Sequence, residues 1–530
     1  VINWFQRQKL IRKGLACDKT RRQRDEVEIL SWLERDGLVR LGLLSTFAVL
    51  LNIISFWGVD LLGDEIHLLI LIVFLSAVLV LQLEHTGLWN SNSRILLTCG
   101  CIWINLFFIK GLYLWIQRFP DLQFSHLLFL APTSLACLLL TPLLGPSVGL
   151  FAAVYVSLLG ALLLGQSFPF LLVSLITGFT SVYCARRVRH RNDLLRAGLA
   201  GGAASLLCAL AFGLIHGSEI SVLLEKPLIG LGVGIFSAVL INALLPLVET
   251  TFGLITDISW LELGDLNHPL LRQLTIEAPG TYHHSLVVAS LADAAAGSIG
   301  ANAQQCRVLS YFHDIGKIIK PEYFTENMPP DENVHDNLSP SMSALIIIAH
   351  VKEGIDLALK YRLKRPILDA IQQHHGTTLV YYFYKKAKQQ QADAKAGGQI
   401  MRIREEDIPD VSENSFRYVG PKPQTKEIGL LMLADAIESA SRSLQRPTPQ
   451  KIENLVDEII QGKIKDHQLD ESHLTLNEIQ QAAESFVFTL KGMHHGRVSY
   501  PKHEPEPDHV APVQSPKKGS VPPSSAQAAA

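Results

Sequence analysis

The sequence lacks the pieces of a thiolate metal site. Its seven cysteines, Cys17, Cys99, Cys101, Cys137, Cys184, Cys208 and Cys306, contain no Cys-x-x-Cys pair. Cys99 and Cys101 are two residues apart, which on a helix points them about 200° away from each other, so they cannot share an ion. A disulfide framework, a zinc ribbon and a Cys-ligated cluster are therefore excluded, and the cysteines read as small apolar packing residues. Net charge is nearly absent as well. A formal charge of −2 over 530 residues gives no electrostatic reason to bind a nucleic acid polymer. Alternating apolar and polar residues, the mark of strands, are missing from the second half. The first 40 residues have no apolar core of the kind a cleavable signal peptide needs, so none is expected.

What is present is unevenly distributed. Of 19 histidines, 14 follow Thr250, whereas the first half is dense in Leu, Ile, Val, Phe and Gly. That split predicts a membrane half followed by a soluble half. Apolar stretches run over 37–58, 67–83, 95–117, 125–145, 147–166, 168–185, 198–216 and 227–248, most close to the ~20 residues that cross a bilayer as a helix. Residues 186–196, RRVRHRNDLLR, form the strongest basic loop and are expected on the cytoplasmic side. Asp60, Asp64, Glu65, Glu219 and Glu225 mark outside loops. Eight spans put residue 250 and the basic segment 1–36 both in the cytoplasm; seven would leave the basic segment outside. Lys110 falls inside a span near its outer end, where snorkelling to water is expected.

Residues 249–282 read as a linker with an amphipathic helix leaving the membrane. A helical series follows over 283–500, with apolar periodicity at 284–299, 303–320, 340–363, 365–375, 424–445, 450–462 and 475–491. Residues 386–423, with KAKQQQADAKAGGQ and VGPKPQ, interrupt it as an insertion expected to be mobile. The Pro, Ser, Ala and Lys content of 501–530 predicts a disordered tail.

The helical half carries a short block, Phe312-His313-Asp314-Ile315-Gly316-Lys317, together with His284, His350, His374, His375 and Asp435. Each sits beside small or apolar residues. A single histidine on an apolar face is ordinarily a satisfied core residue. Five histidines and two aspartates facing one core would each need a buried partner, and a metal centre supplies all of them at once. Imidazole and carboxylate without thiolate suit Fe, Mn or similar ions. Seven ligands exceed what one ion with an open position uses and are about right for two. Asp314 is the natural bridge, because a carboxylate has two oxygens. Two ions ~3.5–4 Å apart can clamp the phosphoryl oxygens of an in-line displacement. Lys317, one helical turn beyond Asp314, is placed to meet phosphate charge.

This set resembles the HD superfamily of metal-dependent phosphohydrolases in its HDIG form. The flanking stretches LELGDLNHPLLRQLTIEAPGTYHHS, ENVHDNLSPSMSALIIIAHVKEG, QQHHGTTLVYYFY and VGPKPQTKEIGLLMLADAIESASRSL resemble the seven-transmembrane receptors with an HD hydrolase domain. The resemblance implies an all-α chain: a polytopic helical membrane domain, then a cytoplasmic all-helical HD phosphohydrolase domain. It implies one metal site of His284, His313, Asp314 and Asp435. A second is formed by His350, His374 and His375 with Asp314 bridging, so that two divalent ions, Fe or Mn, are the cofactors. Asp314 and Lys317 would be catalytic. The activity implied is hydrolysis of cyclic di-AMP to linear pApA in second-messenger signalling, at the inner (plasma) membrane. The partners implied are a cyclic dinucleotide and the lipid bilayer, and a homodimer is left open. Cyclic di-GMP is the alternative substrate, but Gly376-Thr377-Thr378 stands where the HD-GYP group has its signature. A receptor that binds nucleotide without turnover would be expected to have lost ligands, and no ligand position is lost here.

Overall fold

The computed structural model describes residues 33–57, 64–119, 124–217, 219–329, 333–401, 410–444 and 448–495. Among them there are helices and 3₁₀ turns but no strands, and one isolated antiparallel bridge joins Leu379 and Arg417. Most of the basic segment 1–36 and all of the tail 501–530 lie outside the described residues.

The membrane half consists of α1 (Gly37–Phe56), α2 (Asp64–Glu84), α3 (Asn92–Ile116), α4 (Phe124–Leu130), α5 (Leu135–Leu144), α6 (Pro146–Leu163), α7 (Phe168–Ala185), α8 (Arg191–Ile215) and α9 (Ile220–Phe252). With α4 and α5 taken as one broken span, eight helices are long and apolar enough to cross a membrane. The chain is a multi-pass membrane protein. Side chains and prolines set the starts. Asp36 Oδ1 accepts from the backbone N–H of Leu38 at 2.8 Å and of Val39 at 3.0 Å, and Ser91 and Ser167 cap α3 and α7. Pro146 opens α6 at a position where its missing N–H costs nothing. Burial separates centre from rim: 67% of the apolar window of α6 is buried inside the protein, against 22% for α1 and α2.

The α8–α9 pair packs backbone to backbone. A Cβ placed on Gly234 would lie 2.5 Å from the Gly198 carbonyl oxygen and from Gly202 Cα. Such small-residue contacts are how helices associate where lipid removes the hydrophobic drive. Lys110 does not reach water as expected. It is fully buried, and its ammonium donates to the Leu163 carbonyl at 3.2 Å, at the end of α6, below the ring of Tyr113. An unpaired helix-terminal carbonyl is a nearer acceptor than the membrane surface.

Helix α9 has 33 residues, about 50 Å at 1.5 Å rise, more than the ~30 Å hydrocarbon core, so it carries the chain out of the bilayer. It ends at Gly253 in the left-handed region, φ 64°. Buried Glu249 then ties the next helix, α10 (Asp257–Leu263), to α9. Its carboxylate accepts from Thr256 N at 2.9 Å, Thr256 Oγ1 at 2.6 Å and Ser259 Oγ at 2.7 Å. Ile258 of α10 packs with the membrane residues Ala185, Val188 and Leu194, while Trp260 belongs to the core of the second half. Arg191 adds a two-nitrogen contact to Glu262 at 2.8 and 2.9 Å.

The second half is built from α11 (Pro269–Glu277), α12 (Pro279–Ile299), α13 (Ala303–Phe312), α14 (Pro340–Lys360), α15 (Arg365–Gln373), α16 (Tyr381–Met401), α17 (Lys426–Ser441), α18 (Pro449–Lys465) and α19 (Leu476–His495). All but α16 share one core that includes Leu291, Leu309, Phe312, Ile371, Leu433 and Phe486, while Phe383 and Ala387 of α16 pack with Ala344 and Phe416 in a smaller one. Two expectations are corrected. Helix α13 stops at Phe312 instead of continuing to 320, and a 3₁₀ turn covers Ile315–Ile319. The expected break at 386 is also displaced, because α16 runs through the Lys, Gln and Ala residues to Met401. Those residue types are good helix formers even without a buried face. Residues 402–409 lie outside the described residues.

Candidate metal centre

Five segments bring the candidate ligands together. His284 lies in the first turns of α12, which Pro279 opens. His313 and Asp314 follow the last turn of α13, and His350 is on α14. His374 and His375 leave the end of α15, and Asp435 is on α17. All are buried except His375, which keeps partial exposure.

Gly316 is the reason these segments can meet. A Cβ there would sit 1.9 Å from the His350 carbonyl oxygen and 2.6 Å from Gly354 N, so only glycine lets the 3₁₀ turn lie directly on α14. Ile315 and Ile318 on either side are buried in the core and hold the turn down. Asp314 is thereby pressed against His350 rather than carried away along a continued helix.

The carboxylate of Asp314 divides the ligands into two sets. Its Oδ2 is 3.5 Å from His284 Nε2 and 3.2 Å from His313 Nε2, and its Oδ1 is 3.4 Å from His350 Nε2 and 3.6 Å from His374 Nε2. Asp435 belongs to the first set and borders the second: Oδ1 is 3.0 Å from His284 Nε2, and Oδ2 is 3.6 Å from His375 Nδ1. In each of two groups, His284, His313, Asp314 and Asp435, and Asp314, His350, His374 and His375, the ligand atoms all lie within 4.8 Å of one another.

Two of the polar atoms at the centre have no hydrogen-bond partner in the protein. His313 donates through Nδ1 to the Ser310 carbonyl at 2.7 Å, and His350 to Ile347 at 2.5 Å. His374 donates to Ile371 at 2.9 Å. With the proton on Nδ1, each Nε2 is a lone pair. Those of His350 and His374 face each other at 3.4 Å, a repulsive contact unless a cation lies beside both. His313 Nε2 and Asp314 Oδ1 are buried without a hydrogen-bond partner. Unpaired buried acceptors are costly, and a divalent ion is the partner these donor types fit.

The charges agree with that reading. Burial opposes the ionised form of Asp314, but the Lys317 ammonium 2.8 Å from Oδ2 counters it, and the carboxyl is held well below the usual range. Burial brings His350 down to about 4, keeping it neutral, the form that binds metal. For His284, burial lowers the pKa, and hydrogen bonds to Asp435 and Glu438 more than reverse this, to about 9. A proton and a metal ion therefore compete for its Nε2.

Lys317 is not directed freely toward substrate. Its ammonium is 2.8 Å from Asp314 Oδ2 and 2.8 Å from Glu326 Oε1, and it sits over the Phe324 ring. Burial would lower its pKa, but Asp314 and Glu326 raise it, so the charge is held. His283 is exposed and outside both groups. His335 is buried, with Nε2 on the Tyr323 carbonyl at 2.8 Å, which is a loop-closing contact.

Three residues of the site were not anticipated. Glu438 hydrogen-bonds His284 Nδ1; its position three residues after Asp435, on the same helix face, was the available signal. Glu326 lies in a loop with no local pattern. Tyr418 follows the insertion and lays its ring on His375, centroids 4.3 Å apart, closing one side of the cluster. Nothing in its neighbourhood in the sequence signals that contact.

An all-helical domain in which the aspartate of a His–Asp pair is shared between two imidazole sets is of the HD class, and the family model for the HD domain matches residues 281–440. A second, described as 7TM receptor with intracellular HD hydrolase, matches residues 65–256, which leaves α1 ahead of it and seven of the eight spans within it. The chain belongs to this family of seven-transmembrane receptors with an HD hydrolase domain. It is 35% identical over 395 residues to the cyclic-di-AMP phosphodiesterase PgpH of Bacillus subtilis, covering 73% of this chain and 53% of that protein. Against the protein of the same name from Listeria monocytogenes the identity is 35% over 407 residues, 76% and 54% of the two chains. The chain thus spans about half the length of these curated relatives. A solved HD domain of Listeria monocytogenes PgpH in complex with cyclic-di-AMP is 43% identical, covering 44% of this chain and 100% of that one, with a TM-score of 0.39.

Proposed function

We propose that this protein is a membrane-anchored, metal-dependent phosphodiesterase that hydrolyses cyclic di-AMP to linear pApA. The observation that carries the proposal is the division of Asp314 between two complete ligand sets, each within 4.8 Å. The substrate follows from similarity to proteins named cyclic-di-AMP phosphodiesterase.

His284, His313, Asp314 and Asp435 would hold one divalent ion, and His350, His374 and His375 with Asp314 the other. The ligand set suits Fe or Mn. When bound, such ions supply Lewis-acid polarisation of a phosphodiester and lower the pKa of water. The protein's own groups do the rest. Asp314 holds the two ligand sets at one separation. Glu326 and Asp314 keep Lys317 charged and take two of its three N–H donors, which leaves one for a phosphate oxygen. The Tyr418 ring over His375 limits water on that side and offers a face on which a base can stack.

We place the HD half in the cytoplasm and the chain in the plasma membrane. Arg191, in the middle of the basic stretch 186–196, pairs with Glu262 of α10, so that stretch and the HD half share a side, and basic loops stay inside.

The test is turnover by the purified chain, loaded with Mn²⁺ or Fe²⁺, on a panel of cyclic dinucleotides. Cyclic di-AMP is expected to give pApA. Cleavage of cyclic di-GMP alone would reassign the substrate, and tight binding of every dinucleotide without cleavage would leave a receptor in place of an enzyme.

A further inference from the structure

We propose that Glu438 is a positioning residue of the metal centre. It fixes the ring of His284 with Nε2 turned toward Asp314 and Asp435. The proposal rests on the reading of the cluster as a metal centre.

The imidazoles are held in different ways. His313, His350 and His374 each donate Nδ1–H to a main-chain carbonyl three residues back, at 2.7, 2.5 and 2.9 Å. That bond sets both the tautomer and the ring plane, and it leaves Nε2 for the centre. His284 has no such carbonyl bond. Its Nδ1 meets Glu438 Oε2 instead. One helix, α17, therefore presents a carboxylate to each nitrogen of the ring: Asp435 Oδ1 to Nε2 at 3.0 Å, and Glu438 to Nδ1. Residues three apart share a helix face, so Asp435 and Glu438 reach the same ring from successive turns.

The carboxylate is itself held. Arg442, four residues on, donates from Nε to Glu438 Oε1 at 2.7 Å. Arg442 is 40% exposed while Glu438 is 5% exposed, so the arginine anchors the acid from the surface side and leaves Oε2 pointing inward. A surface ion pair alone would not require the acid to be buried. A buried carboxylate needs every oxygen satisfied, and here the imidazole is the second partner. A carboxylate on the far nitrogen of a metal-binding histidine orients the ring and raises its basicity.

The test uses the full chain in detergent, with Mn²⁺ as the probe, its affinity measured by chelator competition and its content as ions per chain. Wild type is expected to hold two. Glu438→Ala should weaken one of the two by about 10–100-fold, the range for such partners. Turnover lost by this variant at limiting Mn²⁺ should return at excess, which a purely structural defect would not show. Glu438→Gln keeps an acceptor oxygen and should lose less. If Glu438→Ala melts like wild type and binds both ions as tightly, the proposal is overturned. If that variant does not fold, Glu438→Gln and Arg442→Ala decide, and unchanged Mn²⁺ affinity in both overturns it. A wild-type chain that takes up no Mn²⁺ overturns the metal-centre reading first, and the proposal with it.

Discussion

The buried hydroxyls of the membrane half and the buried imidazoles and carboxylates of the helical half are satisfied in opposite ways. In the membrane half, Thr98, Thr141, Ser157 and Thr177 return their hydroxyls to carbonyls of their own helices at 2.8, 2.6, 2.7 and 2.9 Å. Ser181 and Ser237 are left without a partner, but each is a single neutral group. In the helical half, five imidazoles and two carboxylates are aimed at one another, with two of the central atoms unpaired. A helix can satisfy a hydroxyl from within. It cannot satisfy a converging set of lone pairs and negative charges, so that set needs a cation from outside.

Four measurements test this contrast. The largest effect is expected from Asp314→Ala, which removes the shared carboxylate. Turnover should fall beyond the ~100-fold associated with partners behind the ligands, and Mn²⁺ content per chain should drop below that of wild type. If both ions stay bound in the variant, Asp314 does not join the two sets. Chelation comes next. Stripping metal held at about 100 times its Kd should cost about 2.7 kcal/mol of stability. The loss should appear as a lower Tm for the helical half, while hydrogen exchange in α6 and α7 stays unchanged; equal loss in both halves would erase the distinction drawn above.

Gly316→Ala should cost about 1–3 kcal/mol in denaturant unfolding, because a Cβ 1.9 Å from the His350 carbonyl forces the turn off α14. It should also weaken metal binding, since the turn carries Asp314. Normal metal affinity in a destabilised Gly316→Ala protein would mean that the turn and the cluster are independent. The smallest effect belongs to the membrane half: Thr141→Val should cost about 0.6 kcal/mol, the average for hydrogen bonds inside membrane proteins. A loss of several kcal/mol would show that its hydroxyls too are held by tertiary structure.

The apolar runs were legible because a bilayer imposes one length and one composition on each span, and eight such helices are present. Misjudged points share a cause. Lys110 was expected to reach for water, and the nearer acceptor turned out to be a carbonyl from residue 163, far along the chain. The helix after Ala303 was expected to continue to 320, but packing of Gly316 on His350 and Gly354 decided otherwise.

The order of amino acids alone determined the helical class, the membrane and helical halves, and the seven His and Asp residues suited to metal. Hydropathy, periodicity and side-chain chemistry are properties of single residues and near neighbours. Folding set which oxygen of Asp314 faces which histidines, paired Lys317 with Glu326, laid Tyr418 on His375 and put Glu438 behind His284. Those contacts join segments up to 154 residues apart. Their geometry is set by how the helices pack, which no local pattern records.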